Sequence, residues 1–366
     1  MQDTQGTVIV TGASGFIGSA VVEHLAKERR VVALDLHPSH QGLPNVQSVG
    51  ADLTSDDSVS DALDLVRMSQ GQRIASVVHL AAYFDMSGEP DPRYDEITVH
   101  GTERLLRELK SRFTVEQFLF SSTMLVHKAG KPCERIDESR ELDPSLPYPA
   151  SKIKTEQLLS FMRGQIPVVF MRLAGVYDEY CHNTFLAHQI ARIYERSLKG
   201  HLYAGPLETG QSFVHRHDVA RAVECAITQR TALPGEFPVL IGEPDVMSYG
   251  ELQKKIGCLL YGEAWQTWEV SETLAKIGTW LEEELFNQQP FVRTWMIEHA
   301  DDHYELDINR ARTKLGWEPQ HKLRDVLHAM VDHLKAAPVA WYKMNKLDAE
   351  RIADKQPADP SHQSAG

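Results

Sequence analysis

The sequence predicts a doubly wound α/β fold, a parallel sheet flanked by helices, joined to a smaller and mainly helical second lobe. Three observations carry this expectation. Short apolar runs alternate with stretches of helical spacing. Three glycines stand three apart where the first run gives way to the first helical stretch, and the second run ends on an aspartate.

Taken in order, the runs are "TVIV", "VVALD", "VQSVGAD", "SVVHLAA" and "FLFSS". Between them, "GSAVVEHLAKERR" and "VHGTERLLRELKSR" carry apolar residues at helical intervals. Two later runs, "PVVFMRL" (167–173) and "FPVLIG" (237–242), read as further buried strands. "FVHRHDVARAVECAI" between them reads as a turn and then a helix. The main lobe is therefore expected to be discontinuous, 1–174 with 212–242, and the second lobe to comprise 175–211 and 243–340. Within the latter, Leu274, Ile277, Leu281 and Leu285 share a helical stripe. Trp268, Trp280, Phe286, Phe291 and Trp295 crowd beside it. A helical core is the plain reading, and an aromatic lid over an apolar substrate the sharper one. The polar tail 354–366 is expected to be disordered.

Bulk composition narrows the function. The 366 residues are 42% hydrophobic and 24% charged, enough for two lobes. A formal net charge of −13 argues against a nucleic-acid partner, which needs a concentrated basic face. Cys133, Cys181, Cys225 and Cys258 are far apart with no C-x-x-C pair, so neither a disulfide framework nor structural zinc is expected and a reducing compartment fits. No segment reaches the roughly 18 consecutive apolar residues of a membrane helix, and "MQDTQGTVIV" lacks a signal-peptide pattern. A cytoplasmic protein with no membrane partner is expected.

"VTGASGFIGSAV" follows the first strand and opens a helix. Gly12 suits a tight turn, Gly15 lets backbone approach a pyrophosphate, and Gly18 lets the helix sit close. The helix N-terminus adds N–H groups and a positive dipole end for phosphates. Asp35, at the end of the second run, can accept bonds from both ribose hydroxyls and would repel a 2′-phosphate. No arginine stands in "TGASGF", so NAD is favoured over NADP.

These segments, with "ADL" (51–53), "HLAA" (79–82), "FSST" (120–123) and "YPASK" (148–152), resemble in order the extended short-chain dehydrogenases/reductases, the NAD-dependent epimerase/dehydratase family. The resemblance runs from about residue 6 to 335 and includes "FVHRHDVARA" (213–222) and "ARTKLGWEP" (311–319). It implies a Rossmann-like fold and NAD contacts from Gly12, Ser14, Gly15, Phe16, Ile17, Gly18 and Asp35. It further implies contacts from Asp52 and Leu53 at the adenine, and from Leu80, Ala81 and Ala82 where the dinucleotide passes the sheet. Asp52 as a cap for the following helix is an equally open reading.

The same resemblance makes Tyr148 the general base or acid. Pro149 suits a first helical turn and puts Tyr148 and Lys152 on one face. A free phenol, with a pKa of ~10, is a poor base at neutral pH. The Lys152 ammonium and the positive nicotinamide ring would favour phenolate, Lys152 would also hold the nicotinamide ribose, and Thr123 would orient the substrate hydroxyl.

Departures from the family pattern bear on the substrate. Met124 and Leu125 follow Thr123 where family dehydratases carry an Asp-Glu pair, which disfavours a 4,6-dehydratase. "AGVYDEY" has Gly175 and Asp178, and "GQSFVH" has Gln211, at positions where nucleotide-sugar enzymes hold a diphosphate; Arg192, Arg196 or Arg216 are possible substitutes. "ITVHGT" has Thr98 for asparagine, implying an altered hydrogen-bond network. "HRHD" (215–218) and the pair His299 and His303 invite a metal reading, but no third local ligand is evident and no metal is expected.

The expected activity is oxidation of a secondary alcohol by hydride transfer to NAD, as in a sugar or nucleotide-sugar epimerase. A 3β-hydroxysteroid dehydrogenase-like oxidoreductase on a less polar alcohol is the alternative, and a non-catalytic NAD-binding regulator is the alternative of another class. The family resemblance also implies a homodimer, built from the helices after "HGTERLL" and "YPASK".

Overall fold

Thr7–Thr11 (β1) is buried along its whole length, as befits a strand covered on both faces. Val8 and Val10 belong to one hydrophobic core and Ile9 to another. The period-two alternation of a strand thus feeds two helical layers. The computed structural model describes residues 6–85, 87–196, 198–270 and 299–355.

The sheet contains β1, β2 (Arg30–Asp35), β3 (Val46–Gly50), β4 (Arg73–His79), a two-residue β5 (Thr114–Val115), β6 (Phe118–Thr123), β8 (Val168–Leu173) and β12 (Glu236–Ile241). Outside it lie β7 (Arg135–Ile136), β9 (Gly175–Tyr177), β10 (Leu202–Tyr203), β11 (Phe213–His215), β13 (Trp268–Glu269) and β14 (Glu305–Leu306). The order β12-β8-β6-β4-β1-β2-β3 is parallel throughout, with β5 beside β4. Strand order reverses between β1 and β4, the switch point where doubly wound sheets open a crevice for ligands.

Helices α1 (Phe16–Leu25) and α6 (Arg216–Thr228) cover the Val8 face with Val21, Val22, Leu25, Val219 and Val223. Helices α2 (Asp56–Gln70), α3 (Gly101–Arg112) and α4 (Pro147–Met162) cover the Ile9 face with Val59, Leu63, Val66, Leu105, Leu109 and Leu159. The "FVH" segment is strand β11 rather than a turn, and α3 is entered through a π-helical turn, Tyr94–His100.

The chain divides into two compact units. The first is Met1–Val176, Gln211–Val246 and Asp302–Lys322. Its last segment is tied down by Asp218, fully buried at the start of α6. The Asp218 carboxylate accepts the Gln320 and His321 N–H at 3.0 and 2.8 Å, and its carbonyl accepts the Trp317 indole N–H at 2.9 Å.

The second unit is Tyr177–Gly210, Met247–Asp301 and Leu323–Gly366. It carries α5 (Thr184–Tyr194), α7 (Tyr249–Tyr261), α8 (Leu323–Ala336), α9 (Pro338–Met344), and β10 paired parallel with β13. Asn183 caps α5, and a Ser248–Glu251 capping box starts α7. Trp268 lies on β13 at 58% exposure. The stripe Leu274 to Leu285, with Trp280, Phe286, Phe291 and Trp295, lies outside the described residues, as does the tail beyond residue 355. His299 and His303 do not share a helix: His299 is in a turn and His303 bridges Gly130 in extended conformation.

Candidate active site

The glycine-rich turn is built by steric necessity. Gly12 has φ +65°, and a Cβ on it would stand 2.7 Å from the Ala81 nitrogen. A Cβ on Gly18 would overlap the Gly12 carbonyl oxygen. Only glycines let the turn lie against the segment after β4 and let α1 start so close to it. A Cβ on Gly15 would sit 3.2 Å from the Gly12 oxygen, a tight but less severe contact. Helix α1 starts without a side-chain cap, so an anion near Phe16, Ile17 and Gly18 would meet main-chain N–H and the positive end of the helix.

Asp35 faces this turn. One carboxylate oxygen accepts the Ser14 N–H at 2.9 Å and the other the His37 N–H at 3.0 Å. A carboxylate has about four acceptor positions, so two remain for a ligand after Asp35 has fixed the loop. Asp52 does not cap α2; Ser55 does, accepting the Ser58 N–H. Asp52 instead folds onto Thr54, whose N–H and hydroxyl it accepts at 2.9 and 2.7 Å, and these bonds hold its carboxyl below the usual range. Leu53 is buried, while Leu80, Ala81 and Ala82 remain half-buried at the end of β4.

Tyr148 and Lys152 do share one face of α4, which begins with Pro147 at N1, one residue before the tyrosine. Lys152 is 2% exposed. Its ammonium donates to the Ser121 carbonyl at 2.7 Å and lies 4.8 Å from the Phe120 ring centre and 5.8 Å from that of Tyr148. Burial pulls Lys152 down to about 7, with Glu156 acting in the opposite direction. Tyr148 is pushed above the ordinary phenol value, first by burial and then by Tyr94. In this structure the phenol is therefore shifted away from phenolate, and the charge of Lys152 does not reverse that. Thr123 ends β6 and its hydroxyl oxygen accepts the Leu125 N–H at 3.2 Å.

Several groups around this core escaped sequence reasoning. Glu156, one turn after Lys152, pairs with Arg172 of β8 at 2.7 and 3.1 Å, and Arg172 reaches His127 at 3.0 Å. Burial, then Arg172, pulls His127 down to about 4. His79 bridges the Thr11 and Thr102 hydroxyls at 2.6 and 2.8 Å, and burial with the Lys152 charge pulls it to about 3. It is a neutral imidazole bracing the end of β4. Phe84 packs edge-on against Tyr148, with ring centres 5.0 Å apart, and remains 56% exposed. Only Glu156 left a signal in sequence, its i+4 spacing from Lys152.

The departures have structural counterparts. Thr98 is fully buried and accepts the Tyr83 N–H at 3.0 Å, so it fixes the backbone just before Phe84. Met124 is buried, and neither it nor Leu125 can exchange a proton. Asp178 binds its own loop through the Tyr180 and His182 N–H groups and the His182 ring. Arg192 is buried against the Gly200 and Leu202 carbonyls. The guanidinium of Arg196 lies 3.7 Å from the centre of the Tyr261 ring, and that of Arg216 lies 5.5 Å from the centre of the Phe16 ring.

Residues 8–242 match the model of the NAD dependent epimerase/dehydratase family, well over half of the chain. The chain belongs to that family. Among epimerase/dehydratase relatives, it is 25% identical over 366 residues to the mouse dTDP-D-glucose 4,6-dehydratase, covering 96% of this chain and 94% of the relative. It is 29% identical over 245 residues to the Streptomyces lividans UDP-glucose 4-epimerase, covering 62% and 72%. The solved structure of MoeE5 in complex with UDP-glucose and NAD superposes with a TM-score of 0.65 at 25% identity, over 91% of this chain and all of that one. The sheet order matches the Rossmann-like expectation, and the protein is an NAD-dependent enzyme of the extended short-chain dehydrogenase/reductase type. Among the described residues, no helix is long and apolar enough to cross a membrane.

Proposed function

We propose that the protein epimerises a sugar or nucleotide sugar at a secondary carbinol carbon. The observation that carries this reading is the pairing on one face of α4 of Tyr148 with a buried Lys152, whose ammonium is moored to β6 beside Thr123. In this reading the first unit holds NAD, which when bound supplies the acceptor and donor of hydride. The turn from Gly12 to Gly18 approaches the pyrophosphate, Asp35 takes the adenosine ribose, and Asp52 and Leu53 flank the adenine. Leu80, Ala81 and Ala82 lie along the dinucleotide.

Thr123 orients the substrate hydroxyl and Tyr148 takes and returns its proton. Lys152 holds the nicotinamide ribose and supplies positive charge that favours phenolate. The raised phenol of Tyr148 makes that charge, and that of the nicotinamide, necessary for it to act as a base. Met124 and Leu125 leave no acid–base pair beside Thr123, which speaks for epimerisation over elimination of water. The second unit is proposed as the substrate-binding lobe.

A second reading is favoured by one observation, the exposed Phe84 edge beside Tyr148. An apolar face there suits a less polar secondary alcohol and release of a ketone. A homodimer through α3 and α4 is part of the proposal, supported by Phe161 on α4 at 91% exposure. The four free cysteines support a cytoplasmic setting.

The test is to incubate purified protein with UDP- and dTDP-hexoses and analyse the products by chromatography, with nucleotide content measured after acid release. Tightly held NAD and C4-epimerised product support the first reading. Exchangeable NAD with turnover of hydrophobic secondary alcohols supports the second. Tyr148→Phe should lose turnover by about 10²–10⁴-fold while binding NAD nearly as well; retained turnover would remove Tyr148 from its role.

A further inference from the structure

Three histidines meet in the first unit, none of them among the residues assigned to the reaction. His215 ends β11, His217 lies in the first turn of α6, and His321 follows the "GWEP" segment. A ring nitrogen of each lies within 4.8 Å of one from each of the other two. The His215 and His321 rings stack with centres 4.1 Å apart, and His217 stands edge-on to His215 at 5.0 Å. The local motif "HRHD" lacks a third ligand, which is why sequence alone pointed away from a metal. The fold supplies it from a segment 103 positions beyond Asp218.

The surroundings fix two of the three rings. His215 is fully buried, and its Nδ1 accepts the His217 N–H at 3.3 Å, a long bond that a stronger partner can replace. His321 is held by Asp218: the carboxylate accepts its backbone N–H and its ring Nδ1–H at 2.8 and 3.0 Å. A carboxylate on one imidazole nitrogen is the arrangement that sets the tautomer of metal-binding histidines and leaves the other nitrogen as ligand. Asp218 also pairs with Arg221 at 2.7 Å. Its negative charge offsets the positive end of α6, which would otherwise oppose a cation.

We propose that His215, His217 and His321 bind a divalent transition-metal ion, with water completing the coordination. Three neutral imidazoles suit Zn²⁺, Co²⁺ or Ni²⁺ and do not suit Mg²⁺ or Ca²⁺, which take oxygen donors. Zn–N bonds of about 2.0–2.1 Å in a tetrahedral site bring ligand nitrogens to roughly 3.4 Å apart. The site therefore closes on the ion by side-chain rotation, chiefly of His217, which is exposed. The ion would bolt the 320–322 segment to the start of α6. This inference does not depend on the proposed substrate.

The test uses untagged full-length protein, stripped with EDTA and titrated with Zn²⁺ by calorimetry in the presence and absence of Mg²⁺. One saturable Zn²⁺ per chain, indifferent to Mg²⁺, is expected. His217→Ala and His321→Ala should weaken it by at least about tenfold, whereas His100→Ala, at an exposed histidine outside the cluster, leaves it unchanged. Absence of saturable binding by the parent protein overturns the proposal, as does equal affinity in His217→Ala. His217 is exposed, so its replacement leaves a folded chain and the test stays decisive if His321→Ala unfolds.

Discussion

The Lys152 ammonium is held 2.7 Å from the Ser121 carbonyl, inside the protein rather than in water. That placement has a cost in stability. Burial lowers the lysine from its ordinary value of 10.5 to about 7, so the folded state gives up its proton more readily than the unfolded chain. Between those two values the unfolded chain binds more protons, and stability rises with pH. Below about 7 both states are protonated and the full penalty applies. Lys152→Met should therefore stabilise the fold at pH 7, on the order of 2 kcal/mol after the stranded Ser121 carbonyl is discounted. Turnover should be lost. Urea unfolding at pH 7 and pH 9.5 measures both the gain and its shrinkage with pH; a variant less stable at both pH values would contradict this account.

Glu156 and Arg172 should behave in the opposite way. Both side chains are 7% exposed and are joined by two hydrogen bonds. Removing one partner leaves a buried charge without its counterion, so Arg172→Met should cost about 3–5 kcal/mol. The double variant Glu156→Leu with Arg172→Met should recover most of that loss. Denaturant midpoints of the two single variants and the double variant close the cycle, and strictly additive losses would show that the pair is not coupled.

Asp35 carries two duties that a substitution separates. Its carboxylate fixes the glycine-rich turn through Ser14 and, in the proposed reading, also accepts the adenosine ribose. Asp35→Ala should weaken NAD binding more than NADP binding, because it removes both an acceptor and a charge that repels the 2′-phosphate. Titration with each nucleotide, followed by tryptophan fluorescence, gives the ratio. An unchanged ratio would leave Asp35 with the loop-fixing duty alone.

What the sequence revealed depended on distance along the chain. Gly12, Gly15 and Gly18 lie in one turn, and Tyr148 and Lys152 on one helix face, so local spacing was enough to place them. The parallel sheet was legible because each strand is a short apolar run between helical stretches. Glu156 with Arg172, Thr98 with Tyr83, and His321 with Asp218 are pairs that only tertiary folding creates. Asp52 was undecided because an aspartate before a helix can either cap it or turn onto its own backbone. Ser55 was equally able to cap, and took the place. The shift of Tyr148 was also beyond sequence, since it depends on how deeply the surrounding chain buries the ring and, after that, on the neighbouring Tyr94.

Phe84 offers the sharpest test of that burial. Its ring stands at 81° to that of Tyr148 with centres 5.0 Å apart, while the residue remains 56% exposed. Replacing it should therefore disturb the phenol more than the fold. Phe84→Ala admits water to Tyr148, weakens the desolvation that raises it, and moves it back toward the ordinary phenol value. Ionisation of a catalytic base sets the acid limb of kcat/KM, so that limb should shift to lower pH, by roughly one unit if much of the shielding is Phe84's. Thermal stability should change little, because an exposed ring contributes little core burial. The substrate effect separates the two functional readings. If Phe84 lines a site for a less polar alcohol, KM for hydrophobic alcohols rises with kcat less affected. If the substrate is a sugar, removing the ring leaves KM for hexose nucleotides nearly constant. An acid limb that stays in place would mean that Tyr94 and the surrounding chain, rather than Phe84, hold the phenol in its protonated form.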